Sequence, residues 1–240
     1  MKILLVNDDG YQSKALEALR KELLKYGEVF VVAPKIVMSG KSVALTIADP
    51  FEVVKKNEHL YIVDGSPADC VSFALSYLDI KFDLTVAGIN YGHNITYDVM
   101  HSGTCGACIE SLFYGVPSIA FSAEKNVEES AKLVDQVMDY IFSKNLLSLD
   151  YILNVNFPTD ISNVKGIKFT ILDFRKDKRY YVFENDDEIV TPKRDIGEGS
   201  FHELSDLRAV KEGYISITPL MKTYFSIDLY ERIKKEKKLD

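Results

Sequence analysis

The chain has 240 residues, of which 47% are hydrophobic, and a formal net charge of −7. That length and apolar content suffice for one sizeable α/β domain, with or without an extension. The negative charge argues against broad binding of nucleic-acid polymers, which depends on Lys and Arg contacts with phosphates. Because no apolar stretch is long enough to span a bilayer or serve as a signal sequence, we expect no membrane partner and a cytoplasmic protein.

The first half of the chain alternates between strand and helix patterns. The apolar run Ile3–Val6 predicts a buried parallel strand, and leucines at helical spacing follow it. Ser66 and Pro67 favour a helix start, with Asp69 at the position of a capping-box acid. Further strands are predicted over residues 29–33, 84–87, 116–121, 151–156, 165–172 and 214–218, with shorter ones in 43–63, and further helices after residue 103 and over 127–142.

This alternation predicts an α/β fold, a Rossmann-like and mainly parallel sheet with helices on both faces. Residues 174–205 are highly charged and show little periodicity, so we interpret them as an extended arm or hairpin. We therefore divide the chain into an α/β catalytic core, 1–173, and a C-terminal part, 174–240. That second part holds the arm, a closing strand and a terminal helix, and is not an independent domain.

Two adjacent carboxylates, Asp8 and Asp9, follow the first predicted strand. Adjacent acids are costly at a strand end unless a cation or a basic group neutralises them, and hard divalent ions prefer oxygen ligands. Because ligands bind beyond the carboxyl ends of parallel strands, Ser39 and Asn90 are expected in neighbouring loops and add two neutral oxygens. These four residues are the predicted metal ligands. The pair alone is equally consistent with an ordinary helix cap.

The run Ser102, Gly103 and Thr104 precedes a predicted helix. The free N–H groups and the dipole at a helix start suit a phosphate, and two hydroxyls add further donors. Asn94, in the same polar loop, can donate to the same anion, although a role in a turn fits it equally well. We predict a phosphate site from these four residues, although the run by itself also fits a plain N-cap.

Other motifs are weaker. Cys105 and Cys108 have the spacing of a redox pair, but they share the apolar face of their helix and are better interpreted as core residues. A phosphate-binding loop ending at Lys41 is rejected, because its earlier glycine is replaced by lysine. His93 and His101 flank the polar loop and remain weak acid/base candidates.

Several blocks of the chain together resemble the survival protein E (SurE) family, in the same order and spacing over nearly the whole length. The blocks are Asn7–Gly10, Ala33–Gly40, Gly65–Cys70, Gly88–Asn94, Ser102–Thr104, Gly115–Ala120 and Glu212–Leu220. The resemblance implies a 5′-nucleotidase that converts nucleoside 5′-monophosphates to nucleoside and phosphate, with breadth that extends to short polyphosphate in some members.

The same resemblance implies one divalent cation, Mg²⁺ or Mn²⁺, on Asp8, Asp9, Ser39 and Asn90. It also implies a homodimer or homotetramer formed by exchange of C-terminal elements. The chain departs from the family at Lys35–Met38, where polar or basic residues usually precede the serine, so substrate contacts from this loop stay open. The family usually lacks the two helix cysteines, which supports their structural interpretation.

The resulting hypothesis is metal-assisted hydrolysis of a phosphomonoester. Asp8 or Asp9 serves as catalytic residue by accepting a proton from water, while Asn94 and the 102–104 run hold the phosphate. A covalent aspartyl-phosphate route is a rival, but such enzymes typically place their two acids one residue apart. A nucleotide-binding protein that does not hydrolyse its ligand is the alternative from a different class.

Overall fold

A computed structural model describes residues 1–184, 189–197, 202–222 and 227–237. The strands of this part are β1 (Lys2–Val6), β2 (Glu28–Pro34), β3 (Val53–Asn57), β4 (Leu60–Val63), β5 (Leu84–Tyr91), β6 (Ser118–Ala123), β7 (Tyr151–Asn156), β8 (Ile167–Phe169), β9 (Lys178–Glu184), β10 (Ile189–Asp195) and β11 (Ile215–Met221). The α-helices are α1 (Lys14–Leu23), α2 (Pro67–Tyr77), α3 (Gly103–Phe113), α4 (Val127–Ser130), α5 (Val134–Ser143), α6 (Asp206–Lys211) and α7 (Ile227–Lys237). Short 3₁₀ turns occupy Thr96–Met100 and Ala131–Leu133.

The main sheet has the strand order β3-β4-β2-β1-β5-β6-β7-β11-β8 in the described residues. Strands β4, β2, β1, β5, β6 and β7 are parallel, whereas β3 and β11 run antiparallel to their neighbours β4 and β7. The predicted doubly wound, mainly parallel sheet is therefore confirmed. The chain reverses its winding at β1, so the carboxyl ends of β1, β2 and β5 open onto one crevice, which is where ligands of such sheets bind.

Alternate side chains of β1 are buried on opposite faces of the sheet, as expected for an interior strand. Ile3 and Leu5 point into one apolar cluster, and Leu4 and Val6 point into the other, on the opposite face. All four side chains are fully buried, which is the pattern of a parallel strand covered by helices on both sides. Helix α1 covers the first cluster, and α2 and α3 cover the second.

Residues 88–104, the segment that contains the polar loop of Asn94, are more ordered than their composition indicates. Strand β5 continues to Tyr91 because a register shift after Ala87 lets Asn90 pair again with Ser122 of β6. Gly88 permits this shift, because its φ is +125° and a Cβ there would lie 2.3 Å from the Phe121 carbonyl oxygen. The shift turns Asn90 toward the end of the sheet where β1 also ends.

Three other predictions are refined. The prediction of a single helix over 127–142 is wrong, since the 3₁₀ turn Ala131–Leu133 separates α4 from α5. Residues 43–63 form one hairpin, β3–β4, after an irregular segment. The predicted arm contains the antiparallel hairpin β9–β10, although residues 185–188 and 198–201 of the predicted segment lie outside the described ranges.

The C-terminal part rejoins the main sheet. Strand β11 inserts between β7 and β8, and it contributes Ile215 and Ile217 to the first apolar cluster. The division at residue 173 stays a prediction. In the part of the chain that the structure describes, no helix has the length and apolar character needed to cross a membrane.

Segment 42–46 packs across the starts of α2 and α3 and ties them together. The Thr46 N–H and hydroxyl donate to the two carboxylate oxygens of Asp69 at 2.8 and 2.9 Å. Asp69 also accepts from the Ser66 N–H, which completes the predicted capping box. On α3, a Cβ at Gly106 would lie only 2.0 Å from the Ser42 carbonyl oxygen, so this close approach requires glycine.

We predict that Gly106→Ala lowers the free energy of unfolding by about 1–3 kcal/mol, because the overpacking outweighs the gain in helix propensity. The measurement is the midpoint and slope of urea unfolding. Ser76→Ala, on the exposed end of α2, is the matched control and should change stability little. Equal stability of the Gly106→Ala protein and the wild type would contradict the packing described here.

Candidate metal and phosphate site

Three loops meet where β1, β2 and β5 end. The Met38 N–H donates to the Asp8 carbonyl at 2.7 Å, and the Tyr91 N–H donates to the Asp9 carboxylate at 3.2 Å. The Ser42 N–H donates to the His101 carbonyl at 3.1 Å. The loops after the first, second and fifth strands are therefore in direct contact, as the parallel topology predicts.

Asp8 is the most buried acid of this crevice, with 3% of its surface exposed. The Thr104 hydroxyl donates to its Oδ1 at 2.7 Å. Burial raises the pKa of Asp8, and this effect outweighs the lowering by the Thr104 hydroxyl and by the backbone N–H groups of Thr104 and Gly103. The carboxylate thus sits at the start of α3, where the helix dipole favours a negative charge.

Asp9 is half-buried and lies beside Asp8. Burial, and next the charge of Asp8, raise the pKa of Asp9 to about 6, while the Tyr91 N–H lowers it. Among the described residues, no cationic side chain contributes to the pKa shift of either acid. Two neighbouring carboxylates without a basic partner are the arrangement that a bound cation stabilises.

Asn90 and Ser39 lie on the other two loops, each next to a residue whose N–H is bonded to one of the acids. The Asn90 amide nitrogen donates to the Gly92 carbonyl at 2.6 Å, which turns its Oδ1 away from that carbonyl. Ser39 is exposed and follows Met38, whose backbone is bound to Asp8. In the same loop the Lys35 ammonium is bound to Glu52 at 3.0 Å and lies 3.7 Å from Asp64.

The chemistry of these donors fits a hard divalent cation. Two carboxylates, an amide oxygen and a hydroxyl provide oxygen ligands only, which Mg²⁺ and Mn²⁺ accept. Within the described ranges, no group of three or more His, Cys, Asp or Glu side chains is arranged to hold a metal. The predicted set contains only two such residues, so it depends on Ser39, Asn90 and water to complete the shell.

The start of α3 provides the second half of the crevice. Ser102 is a regular N-cap whose Oγ accepts from the Cys105 N–H at 3.0 Å. A Cβ at Gly103 would lie 3.0 Å from the Asp8 Cβ, which measures how closely the helix start approaches the acid. The hydroxyl of Thr104 is bound to Asp8, so this side chain links the two halves of the crevice.

Asn94 is buried and forms hydrogen bonds through its side chain, its backbone N–H and its carbonyl. Its side-chain nitrogen donates to Ser122 Oγ at 2.8 Å, and its backbone N–H donates to Asn156 Oδ1 at 2.8 Å. Its carbonyl accepts from the side chains of Asn154 and Asn156. One hydrogen of its amide group is thereby used within the protein, and the segment that carries it is rigidly placed.

The rejected and weaker candidates have structural roles. Cys105 and Cys108 are free thiols, fully buried in the second apolar cluster. Burial raises the pKa of Cys105 to about 12, which disfavours the thiolate that redox chemistry needs. His93 bonds through Nε2 to the Phe157 carbonyl, and burial lowers its pKa.

Comparison with known proteins identifies the family. The family model described as survival protein SurE matches residues 3–179. The chain belongs to the SurE family. The resemblance found in the sequence blocks is thus confirmed.

SurE relatives match over almost the whole chain. A protein named 5′-nucleotidase SurE from Histophilus somni is 38% identical over 235 residues, which cover 92% of each chain. Its namesake from Campylobacter lari is 34% identical and covers 99% of this chain and 97% of its own. A crystal structure of the SurE protein from Aquifex aeolicus is similar with a TM-score of 0.85 at 34% identity, over 99% and 100% of the two chains.

The sequence did not reveal the buried polar residues that position Asn94 in this SurE-family chain. Asn154 and Asn156 of β7 are fully buried, as is Ser122 of β6. Their contacts with Asn94 connect residues 28–62 positions apart in sequence. The available signal was a pair of asparagines at a spacing of two inside an apolar strand, which places both on one face of the sheet.

We predict that Thr104→Val lowers the free energy of unfolding by about 1.5–3 kcal/mol at pH 7, because a buried carboxylate loses a hydrogen-bond donor. Thr104→Ser keeps the donor and should lose only about 1 kcal/mol for the removed methyl group. Chemical denaturation of the two variants compares them directly. If Thr104→Val proves as stable as Thr104→Ser, the bond to Asp8 does not support the site.

Proposed function

We propose that this SurE-family chain is a 5′-nucleotidase that hydrolyses nucleoside 5′-monophosphates to nucleoside and phosphate with the help of one divalent cation. The observation that carries the proposal is the buried acid pair lying against the start of α3. One half of this crevice suits a cation and the other half suits a phosphate. The names of the relatives point to the same activity and specify the nucleotide as substrate.

In this proposal Asp8, Asp9, Ser39 and Asn90 hold the cation, Mg²⁺ or Mn²⁺. When bound, the ion would polarise a phosphoryl oxygen and lower the pKa of a coordinated water. Desolvation of the acid pair supports the assignment, since a buried and a half-buried carboxylate side by side are unfavourable without a cation. Met38 and Tyr91 support it from the backbone by fixing where the two acids lie.

The phosphate would be held by Asn94, Ser102, Gly103 and Thr104. The N–H groups and dipole at the start of α3 would attract the anion. Ser102 keeps its hydroxyl hydrogen for a ligand, because its oxygen acts as acceptor in the cap. These donors are set before substrate arrives, so they would stabilise the charge that develops in the transition state.

A carboxylate of the pair would take the proton from the attacking water. Both acids are assigned as catalytic residues in the proposal, and Asp9 is the better placed for proton transfer. It is half-buried, whereas Asp8 is enclosed and already accepts from Thr104. Asp8 would then mainly hold the ion and the Thr104 side chain.

The test is release of inorganic phosphate from a panel of nucleoside 5′-monophosphates with Mg²⁺, Mn²⁺ or EDTA. We expect turnover with metal, its loss with EDTA, and its recovery on addition of excess metal. Asp8→Asn should lower kcat by about 100-fold or more, because it removes a charged ligand from the site. Full activity of Asp8→Asn, or turnover that EDTA leaves intact, would refute the mechanism.

Asp79→Asn is the matched control, since this exposed acid lies between α2 and the amino end of β5, whereas the site lies at the carboxyl ends of the strands. It should have the activity of the wild type. Tight binding of a monophosphate with no hydrolysis under any metal would favour the alternative, a nucleotide-binding protein without turnover. Short polyphosphate belongs in the same panel, since the family resemblance extends the proposal to that substrate.

We also propose that the chain forms a homodimer or homotetramer through its C-terminal elements. The β9–β10 hairpin carries large apolar side chains on its surface: Tyr181 is 66% exposed and Phe183 is 58% exposed. Phe183 pairs with Val190, and Tyr181 pairs with Pro192, so these residues share one face of the hairpin. An apolar hairpin face of this kind is suited to contact with a second copy.

We predict that Phe183→Glu shifts the protein toward the monomer in sedimentation velocity, because it buries a charge in the proposed contact. Lys193→Glu, on the opposite face of the same hairpin, is the control and should leave the sedimentation coefficient unchanged. A Phe183→Glu protein that sediments like the wild type would exclude this face as the interface.

A further inference from the structure

The 3₁₀ turn Thr96–Met100 connects the two parts of the phosphate-binding region. Asn94 precedes it by two residues, and the cap of α3, Ser102, follows it by two. The His101 N–H donates to the Asp98 carbonyl at 3.0 Å, and the Ser102 N–H donates to the Val99 carbonyl at 3.3 Å. Any displacement of this turn would therefore be transmitted directly to the start of α3.

The first attachment of the turn is the side chain of Asp98. Its carboxylate lies 2.7 Å from the Arg194 guanidinium and 3.3 Å from that of Arg175. Arg194 belongs to β10 and Arg175 lies just before β9, so both come from the base of the hairpin. The Arg194 guanidinium also lies over the Tyr97 ring, 5.7 Å from its centre.

A second carboxylate, Asp177, binds both arginines. It accepts from Arg175 Nε at 2.7 Å and from the Gly197 N–H at 3.0 Å, and it also bonds Arg194. Although burial raises the pKa of Asp177, these hydrogen bonds lower it well below its usual range. The Asp177 and Arg175 side chains are 0% and 8% exposed, so this network is more enclosed than a surface ion pair.

The second attachment is made by Asp206, at the start of α6. This acid is fully buried, and its Oδ2 accepts from the Thr96 N–H at 2.8 Å. Its Oδ1 accepts from the Asp173 and Leu207 N–H groups at 3.1 and 2.7 Å. Thr96 has a left-handed φ of +55°, which is unfavourable for a β-branched residue and needs such external support.

We propose that Asp98 and Asp206 are positioning residues for the proposed reaction, because they lock the turn Thr96–Met100 onto the base of the hairpin and the start of α6. The C-terminal part of the chain thereby sets the geometry of the phosphate-binding end of the site. The metal end is joined to these contacts only through the bond of Thr104 to Asp8, and Asp8 and Asp9 are held in addition by β1, Met38 and Tyr91. The expected kinetic effects rest on the proposed function. The expected structural effects rest only on the contacts described above.

The decisive variants are Asp98→Asn and Arg194→Met in the full-length protein. We expect kcat/KM for a nucleoside monophosphate to fall about 10–100-fold, as is typical for loss of an outer-shell support. The inhibition constant of inorganic phosphate should rise in parallel, while the affinity for Mn²⁺ stays close to that of the wild type. Arg194→Lys, which keeps the cation, should retain much of the activity.

Arg208→Met is the matched control. Arg208 of α6 forms an ion pair at 2.7 Å with Glu212, the C-cap of the same helix. It should leave kcat/KM and phosphate inhibition unchanged. The proposal is overturned if Asp98→Asn and Arg194→Met have the kinetics of the wild type, or if they lose Mn²⁺ affinity and phosphate affinity equally.

Hydrogen exchange separates this inference from the proposed function. Amides of residues 94–104 should exchange faster in Asp98→Asn, Arg194→Met and Asp206→Asn, and those of β1 should be unchanged. This result is expected whether or not the protein hydrolyses nucleotides. Unaltered exchange in residues 94–104 for all three variants would refute the attachment itself, even if the chain proves to be a nucleotidase.

Discussion

The burial of Asp8 against the start of α3 is the interaction on which the site depends. An ionised carboxylate with 3% exposure is unfavourable unless hydrogen bonds and positive charge compensate it. The Thr104 hydroxyl and the helix N–H groups provide part of this compensation from the protein. The remaining deficit, increased by Asp9 next to it, is what a divalent cation would relieve, so stability and function of this crevice have the same physical origin.

The rest of the fold brings backbone groups to this carboxylate pair. Strand β1 is buried on both faces. Its fixed position determines where Asp8 and Asp9 lie, because they follow directly after the strand. Gly88 allows β5 to shift its register so that Asn90 reaches the same edge, and Gly106 allows segment 42–46 to lie on α3. The site therefore consists of short loops that are each bound to a neighbour through the backbone, which keeps the donors in place before a ligand binds.

The C-terminal part both extends the central sheet and contacts the turn beside the site. Strand β11 extends the central sheet, whereas the base of the β9–β10 hairpin contacts the turn Thr96–Met100 through Asp98. The same hairpin exposes an apolar face at its other end. If that face contacts a second copy, assembly and the geometry of the phosphate-binding end would depend on one element, because the hairpin would be anchored at both ends.

The sequence by itself determined the fold class, the acid pair and the helix start, because these depend on local signals: apolar runs, strand ends and caps. It also determined the family, since several blocks lie in register. Only the tertiary structure decided the roles of Thr104, Asn154 and Asp98. Their partners lie 96, 60 and 96 positions away in the chain, and no local pattern encodes a contact between such distant residues.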